Sequence, residues 1–487
     1  MAIEGIKSHY KENLKRYHVA TEAEIELMIN GAFEILEDVG TDVMDPGARD
    51  YMEKYGCRVE GTRVYVPRDC VKKAISTAPS HVQIYNRFGE HAMDVGGGNV
   101  FFGNGPTNPF YYDFETYERR EAKKSDVANS ARLSDALPNI DFIMSLAGIR
   151  DWNPLIADTC EMHEMLQNTT KPIVCWGVDV DGLKEQFEMM AAVAGSWENF
   201  LEKPFALCYA GDPVTPLTIP ADAGRKHVYA AERGITVLWP SGVQLGCVSP
   251  MTIAGSVTLG LAENLAGLVL NQSVHPGNGY LGAIVTLTVD MSTTQAAYGT
   301  PEHCLGDSLV ADIYHYLDLP CWETGCASDS KIVDEQCAIE CAFQSISNCL
   351  SGGNLVHDVG FMESAASSHL DLITMANEVI GYARRIERGI EITPETLALD
   401  ITKEVGPGGE FITHSHTYEN FRNELWFPDL MDRQRYDLWK QNPTDFRTRM
   451  HERTKRLLAE HKVPSLPAEV VAELDAILDK AVKRVGE

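Results

Sequence analysis

The feature that most constrains this chain is a regular alternation of short apolar runs with longer helical patterns. Eight such runs are rich in β-branched and aromatic residues, and most have Gly, Asn, Asp or Ser at or near their end. Near-continuous apolar runs indicate strands buried on both faces, as parallel sheets require. The runs span residues 99–106, 140–148, 171–178, 204–211, 235–242, 279–285, 320–326 and 354–361.

Eight strand–helix units at this spacing predict an α/β fold, a (β/α)8 TIM barrel over residues 96–375. An open doubly wound sheet is the alternative, although the chain has no dinucleotide-binding fingerprint. Residues 1–95 have the pattern of amphipathic helices and short strands, and residues 376–487 predict a charged, mostly helical extension. We expect both extensions to pack on the barrel, because no low-complexity linker separates them from it.

Composition excludes some classes of protein. The net charge of −28, with no Lys/Arg cluster, argues against binding to nucleic acid. The twelve cysteines are scattered without a C-x-x-C, and the amino terminus lacks an apolar signal region, so we expect reduced thiols in the cytoplasm. The run 250–274 is the one membrane candidate, but Glu263, Asn264 and Asn271 interrupt it and favour a buried helix.

Aromatic residues gather at the predicted strand ends, where barrel active sites form. Trp176, Trp239 and Trp322 lie at or near such ends, and Tyr209 and Phe361 could line the same cavity. Aromatic faces around a cavity bind quaternary ammonium groups, with ~0.5–2 kcal/mol from each well-placed ring. The alternative is that these rings fill the barrel or cap its rim.

Other strand-end residues suggest weaker candidates. Asn104 ends the first run and is a polar candidate for substrate contact. Lys331 could form a Schiff base as in barrel aldolases. It follows Asp329 and Ser330 in a predicted loop, however, which favours a solvated or ion-paired lysine.

No pattern predicts a resident metal or nucleotide. His414 and His416 form an H-x-H without a third ligand, which is weak support for zinc. The glycine-rich stretches at 103–106 and 406–409 lack phosphate-loop spacing, so tight turns are favoured. Cys337 and Cys341 stand one helical turn apart with no nearby histidine pair, as core thiols do.

Three strings together resemble the trimethylamine methyltransferase superfamily. They are F-E-T-Y-E-R-R-E-A followed by L-P-N-I-D-F, then C-A-S-D-S-K-I-V-D-E-Q, and finally G-P-G-G-E-F…H-T-Y…E-L-W-F-P-D-L, and the likeness runs over nearly the whole chain. The resemblance implies a (β/α)8 barrel that moves a methyl group from an amine to a corrinoid (cobalamin) on a separate protein. Such enzymes serve the one-carbon metabolism of methanogenesis or acetogenesis.

One departure from the family narrows the substrate. Its namesake enzymes carry pyrrolysine, whereas this chain contains standard residues alone. It therefore resembles the non-pyrrolysine branch, whose members demethylate quaternary amines, and glycine betaine is the first substrate to expect. A barrel lyase or aldolase using Lys331 and a non-catalytic betaine-binding protein are the alternatives.

A betaine substrate and a corrinoid partner suggest roles for particular residues, according to their places relative to the predicted strands. We expect His357 to donate to a betaine carboxylate, with Arg150 in reserve; a core histidine bonded to the backbone is the alternative for His357. We expect segment 406–430 to fold back over the barrel mouth as cover, with Gly408, Gly409 and His414 in the docking surface for the corrinoid protein. We also expect a homo-oligomer.

Overall fold

The computed structural model describes residues 17–486, so the first sixteen residues of the predicted extension 1–95 lie outside the described part. The first helix starts with a capping box, in which Thr21 Oγ1 accepts from Glu24 N and the Glu24 carboxylate accepts from Thr21 N. The elements before the first parallel strand are α1 (Glu22–Glu34), a π-helical turn (Ile35–Val39), β1 (Thr41–Val43), α2 (Pro46–Tyr55), β2 (Arg58–Glu60), β3 (Arg63–Tyr65), α3 (Arg68–Thr77), β4 (His81–Tyr85) and β5 (His91–Gly96).

The middle of the chain alternates parallel strands with helices. Its elements are β6 (Phe101–Asn104), β7 (Phe110–Tyr112), β8 (Arg119–Glu121), α4 (Lys124–Ala136), a 3-10 turn (Pro154–Ile156), α5 (Ala157–Asn168), β9 (Ile173–Trp176), α6 (Val180–Ala194), α7 (Trp197–Glu202), β10 (Ala206–Tyr209), β11 (Thr218–Ile219), α8 (Ala221–Glu232), β12 (Val237–Gln244), α9 (Ile253–Val274), β13 (Tyr280–Val289), β14 (Ala296–Ala297), α10 (Pro301–Leu317), β15 (Trp322–Thr324), α11 (Glu335–Ser351), β16 (Leu355–Val359), β17 (Phe361–Met362) and β18 (Ser367–Ser368).

The rest of the chain is helical. It comprises α12 (Leu370–Arg388), α13 (Leu399–Val405), α14 (Ser415–Glu424), α15 (Tyr436–Trp439), α16 (Phe446–Glu460) and α17 (Ala468–Arg484). The helix α16 packs on α4 and α12, and α17 packs on α5 and α6, so both belong to the outer helical layer.

The parallel strands form two sheets. The first has the order β14-β13-β12-β10-β9 and the second the order β15-β16-β6. Seven of the eight predicted strands coincide with a named strand, which confirms the α/β class. The predicted strand at 140–148 instead makes isolated parallel bridges, from Phe142 to Gly103 and from Ile143 to Ile173.

The hairpin β4–β5 fills one end of the parallel strands. Its inward side chains pack with Val174, Leu207 and Leu238 in a shared apolar cluster. Tyr85 N donates to Pro204 O at 2.9 Å, and Pro204 directly precedes β10, so the hairpin lies at the N-terminal ends of the strands. The C-terminal ends are therefore the end where a ligand can enter.

The apolar run predicted as a buried helix is α9. It is the one described helix that is long and apolar enough to cross a membrane, and most of it is buried inside the protein. The Glu263 carboxylate accepts from Leu217 N at 2.7 Å and from Thr215 Oγ1 at 2.9 Å, which explains how the helix tolerates an acid in the core.

The structure corrects the expected position of segment 406–430. Its end is held on the second half of α12, because the Glu378 carboxylate accepts from Leu430 N at 2.9 Å and Arg385 donates to Glu424 O at 2.8 Å. Further along α12, Arg384 pairs with Asp141 at 2.5 Å, and Asp141 stands just before the bridge residue Phe142. The end of the segment, residues 424–430, therefore lies towards the N-terminal ends of the strands and not over the C-terminal mouth.

Several aromatic residues of this segment are exposed, unlike those of a buried cover. Phe411 and Tyr418 are 45% and 70% exposed, and Trp426 alone makes an edge contact with a ring of α12, that of Tyr382 at 5.4 Å. His414 caps α14, where its Nδ1 accepts from His416 N at 3.1 Å. Gly408 has a positive φ of 79° and open space around it. We had not predicted this exposure, because the sequence alone suggests a buried cover.

Candidate functional site

A cavity of about 270 Å³ lies at the C-terminal ends of the parallel strands. A larger apolar groove of about 650 Å³ is lined by residues of α10 and α11. We take the smaller cavity as the candidate site, because active sites of parallel α/β proteins form at the C-terminal strand ends. Its lining includes Thr107, Asn108, Tyr209, Asp212, Gly242, Tyr298, Trp322, His357, Asp358 and Phe361.

The first glycine-rich stretch makes room for the cavity wall. A Cβ on Gly105 would overlap Phe361 Cζ and Asp358 Oδ1. Gly105 O accepts from Leu146 N at 2.8 Å, which holds the backbone in place. The stretch 103–106 is the end of β6 and the residues after it, and not the tight turn that the sequence predicts; the glycine at 105 permits the close approach of the backbone to two cavity side chains.

Tyr209 and Trp322 form one aromatic wall. Their rings meet edge to face, with centroids 5.2 Å apart and planes at 75°. Tyr209 OH donates to the Asp212 carboxylate at 2.6 Å. The Asp212 side chain is exposed where it opens into the cavity, yet the protein packed around it restricts its solvation and raises its pKa to about 6, against the opposing effects of the Tyr209 hydrogen bond and of the nearby His357 and Lys226.

His357 stands beside this wall. Its ring centroid is 4.1 Å from that of Trp322, and its Nδ1 is hydrogen-bonded to the Asp358 carboxylate. Asp358 has a φ of 78°, which is uncommon for a residue with a side chain and typical of functional sites. His357 Nε2 and Trp322 Nε1 are buried and have no hydrogen-bond partner within the described protein.

Three of the seven predicted substrate-contact residues line the cavity: Tyr209, Phe361 and His357. The alternative for His357, a core histidine bonded to the backbone, does not match its bond to the Asp358 side chain. The cavity also contains Asp212, Asp358 and Tyr298, which we had not predicted. Asp358 lies in the last part of β16 and Asp212 comes three residues after β10, and this position near strand ends is the signal that could have identified them.

Trp176 does not line the cavity. Its Nε1 donates to Glu161 Oε2 on α5 at 2.8 Å, and this bond holds the indole towards the helical layer. Trp239 is fully buried on the other side of β12, with its ring 4.9 Å from that of His227 on α8. Successive strand residues alternate between faces, so Pro240 and not Trp239 reaches the cavity.

The other two predicted contacts, Asn104 and Arg150, do not line the cavity either. Asn104 is fully buried; its Nδ2 donates to Val359 O at 3.2 Å and its Oδ1 accepts from Ser134 Oγ at 2.9 Å. These bonds fasten α4 to the strands. Arg150 is exposed outside the cavity lining, and its backbone N donates to Ala122 O.

Lys331 also lies outside the cavity. It is exposed, and its Nζ donates to Asp329 O at 2.7 Å, as a surface loop lysine does. Cys337 is buried, and this burial raises the pKa of its thiol. Among residues 17–486, no group of three or more His, Cys, Asp or Glu side chains is arranged to hold a metal.

Glu161, which holds Trp176, predicts a pH dependence of stability. Burial raises its pKa from the ordinary 4.5 to about 8, although Ile149 N and Trp176 donate to it. Between those pH values the unfolded chain binds fewer protons than the folded chain, so stability falls as pH rises. The free energy of unfolding of the wild-type protein should therefore fall between pH 5 and pH 7. In Glu161→Gln we expect this fall to be smaller by about 2–3 kcal/mol.

The measurement is urea unfolding of the wild-type protein and of Glu161→Gln at pH 5 and at pH 7. The matched control is Glu395→Gln, since Glu395 is an exposed acid of the described chain. If Glu161→Gln and Glu395→Gln change the pH dependence equally, Glu161 is ionised in the fold and this prediction is wrong.

Known proteins match the chain almost from end to end. A family model described as trimethylamine methyltransferase (MTTB) matches residues 2–486. A glycine betaine methyltransferase of Desulfitobacterium hafniense strain Y51 is 28% identical over 97% of this chain and 99% of its own length. The trimethylamine methyltransferase MttB of the DCB-2 strain of that species is 29% identical over 96% of this chain and 94% of its own.

A solved structure supports the fold. The crystal structure of the Methanosarcina barkeri monomethylamine methyltransferase (MtmB) is similar with a TM-score of 0.51 and 13% identity, over 95% of this chain and 94% of that chain. This likeness bears on the fold alone. The family match covers nearly all of the sequence and confirms the resemblance carried by the three strings. The chain belongs to the trimethylamine methyltransferase family, as a member made of standard residues.

Proposed function

We propose that this protein transfers a methyl group from a quaternary ammonium compound to the corrinoid of a separate protein. The observation that carries the proposal is the cavity at the strand ends, in which the aromatic side chains Tyr209, Trp322, Tyr298 and Phe361 stand beside two carboxylates. Rings attract a cation through their π-faces and also exclude water. Glycine betaine, the substrate expected from the sequence, belongs in the first panel of donors.

We infer that the parallel segments close into one (β/α)8 barrel. The support comes from the bridges that join the two sheets. Phe142 pairs with Gly103 of β6, Ile143 pairs with Ile173 of β9, and Cys321 pairs with Gly282 of β13. The other neighbours are continuous parallel ladders, so each segment has a partner on both sides.

A quaternary ammonium is already activated for this reaction. The C–N bond breaks, its electron pair remains on nitrogen, and the amine leaves neutral, so no general acid is needed. A corrinoid in its cobalt(I) state supplies the nucleophile that accepts the methyl group. The chain's own residues bind the cation, orient one methyl group towards the mouth and keep water out of the cavity.

The partner has to approach the cavity mouth. Thr107 and Gly242 line the cavity and are exposed, so the mouth is open to solvent. A corrinoid that docks there can reach a methyl group held by Tyr209 and Trp322. We therefore place the docking surface at these strand-end loops, and no longer at Gly408, Gly409 and His414.

We also propose that the protein is a homo-oligomer. Large apolar side chains are exposed along residues 390–418, among them Ile390 (81%), Ile392 (77%) and Ile412 (76%). Contiguous exposed apolar surface marks an interface. Light scattering should therefore give a mass above the 53.9 kDa of one chain, and the double variant Ile392→Asp/Ile412→Asp should shift it to that of one chain.

The control for the oligomer is Leu27→Asp. Leu27 is 72% exposed on α1, far along the chain from this surface, and the substitution should leave the mass unchanged. A wild-type mass of one chain would contradict the proposal directly.

The experiment for the reaction uses cob(I)alamin and the purified chain. We expect the cob(I)alamin absorbance to be lost on addition of a quaternary amine, and a tertiary amine to appear in equal amount. Borohydride trapping with aldehydes tests the Lys331 aldolase. A non-catalytic binding protein would bind the ligand and leave the cob(I)alamin spectrum unchanged, which would refute the reaction.

A further inference from the structure

The cavity has an unbalanced set of charges. Asp212 and Asp358 both line it, whereas no lysine or arginine does among the described residues. Lys226 lies behind Asp212, but its Nζ donates to Gly177 O at 2.7 Å and pairs with Asp222 at 2.9 Å. The Lys226 ammonium is therefore hydrogen-bonded outside the cavity lining, although its charge lowers the pKa of Asp212.

The carboxylates of Asp212 and Asp358 affect the same two tyrosine side chains in the cavity wall. Burial raises the pKa of the Tyr298 phenol, and the charges of Asp358 and Asp212 raise it further. Burial and the same two aspartates raise the pKa of the Tyr209 phenol as well. A ligand within about 270 Å³ cannot approach one of these carboxylates without being affected by the other.

Two residues that line the cavity each have a buried polar atom without a hydrogen-bond partner. His357 is 7% exposed and Trp322 is 1% exposed, yet His357 Nε2 and Trp322 Nε1 have no partner within the described protein. Buried polar atoms without a partner are uncommon and need an explanation. His357 already bonds the Asp358 carboxylate through Nδ1, so it is not a free cation for a second carboxylate.

We infer that the cavity takes a methylated ammonium monocation whose remaining substituent is neutral, a methyl or hydroxyalkyl group, in preference to a zwitterion that carries a carboxylate. The inference rests on the proposed function and narrows its substrate away from glycine betaine. A cation gains from both aspartates. The carboxylate of a betaine would enter the same small space as two like charges, with no guanidinium or ammonium to pair with it. A hydroxyl group instead can accept from Trp322 Nε1 or donate to His357 Nε2.

The test compares choline with glycine betaine by calorimetric titration of the full chain. The two compounds share the trimethylammonium group and differ in a hydroxymethyl group against a carboxylate. Tetramethylammonium gives the affinity of the head group alone. We expect choline to bind at least ten times more tightly than glycine betaine, and tetramethylammonium to bind more tightly than glycine betaine as well.

Charge variants locate the effect in the cavity. Asp212→Asn should weaken choline binding and shrink the choline-to-betaine ratio, because it removes one of the two like charges. Asp400→Asn removes the same charge from a fully exposed carboxylate elsewhere and should leave the ratio unchanged. The wild-type ratio stands on its own if Asp212→Asn does not fold.

The outcomes separate this inference from the proposed reaction. Glycine betaine binding as tightly as choline, or no binding of any quaternary ammonium, overturns the inference. If glycine betaine binds more tightly than choline and methylates cob(I)alamin, the inference fails and the proposed reaction stands. If choline binds best but no donor consumes cob(I)alamin, the inference stands and the proposed reaction fails.

Discussion

Gly105→Ala is expected to reduce methyl transfer about 100-fold, because a displacement of ~1 Å near reacting groups has an effect of this size. The added Cβ overlaps Phe361 Cζ and Asp358 Oδ1, and the bond from Leu146 N to Gly105 O keeps the backbone from retreating. Phe361 and Asp358 must therefore move into the cavity. Asp358 then loses its alignment with His357.

Gly242→Ala is the matched control. Gly242 lines the same cavity, but an added Cβ there meets nothing within 4 Å. Neither glycine has a positive φ, so the two substitutions differ in available space and not in backbone strain. Methyl transfer and ligand affinity should be measured for both variants, together with circular dichroism. Equal activities would mean that the reaction does not use this cavity.

A loss of stability is the alternative explanation for reduced methyl transfer by Gly105→Ala. Overpacking of a core costs typically ~1–3 kcal/mol. This effect lowers the unfolding midpoint and leaves the activity of each folded molecule intact. Activity per folded molecule, corrected by the unfolding curve, distinguishes the two.

The parallel strands could be predicted because burial on both faces leaves near-continuous apolar runs. Such runs keep their signal even where hydrogen bonding is irregular, as at Phe142 and Ile143, which make single bridges alone. Whether the outer segment 406–430 reaches one strand end or the other could not be predicted. It depends on where Arg385 and Glu378 lie along α12, and the helical pattern does not reveal that position.

The site was predictable in part for a similar reason. Tyr209 and His357 both line the cavity, because strand ends meet at one place. Trp239 faces away from the cavity and its neighbour Pro240 lines it, since a shift of one residue reverses the face of a strand residue. Trp176 does not line the cavity, and its Nε1 is bound by Glu161 on another element; such long-range bonds leave no local pattern.

Tyr209→Leu is expected to raise the dissociation constant of a quaternary ammonium about 5- to 30-fold, which corresponds to the ~1–2 kcal/mol of one cation–π contact. Tyr209→Phe keeps the ring and loses the bond to Asp212, so it should retain most of the affinity. Titration calorimetry with tetramethylammonium measures the ring effect without a contribution from other substituents.

Trp176→Leu gives the sharpest comparison, because Trp176 and Tyr209 are direct neighbours on adjacent strands. Both substitutions remove one aromatic ring at the same level of the sheet, but Trp176 is bonded to Glu161 and does not line the cavity. We expect Trp176→Leu to lower stability and to leave ammonium affinity unchanged. An equal loss of affinity in Trp176→Leu and Tyr209→Leu would show that the ligand contacts both strand ends. The binding site would then extend beyond the cavity bounded by Tyr209 and Trp322.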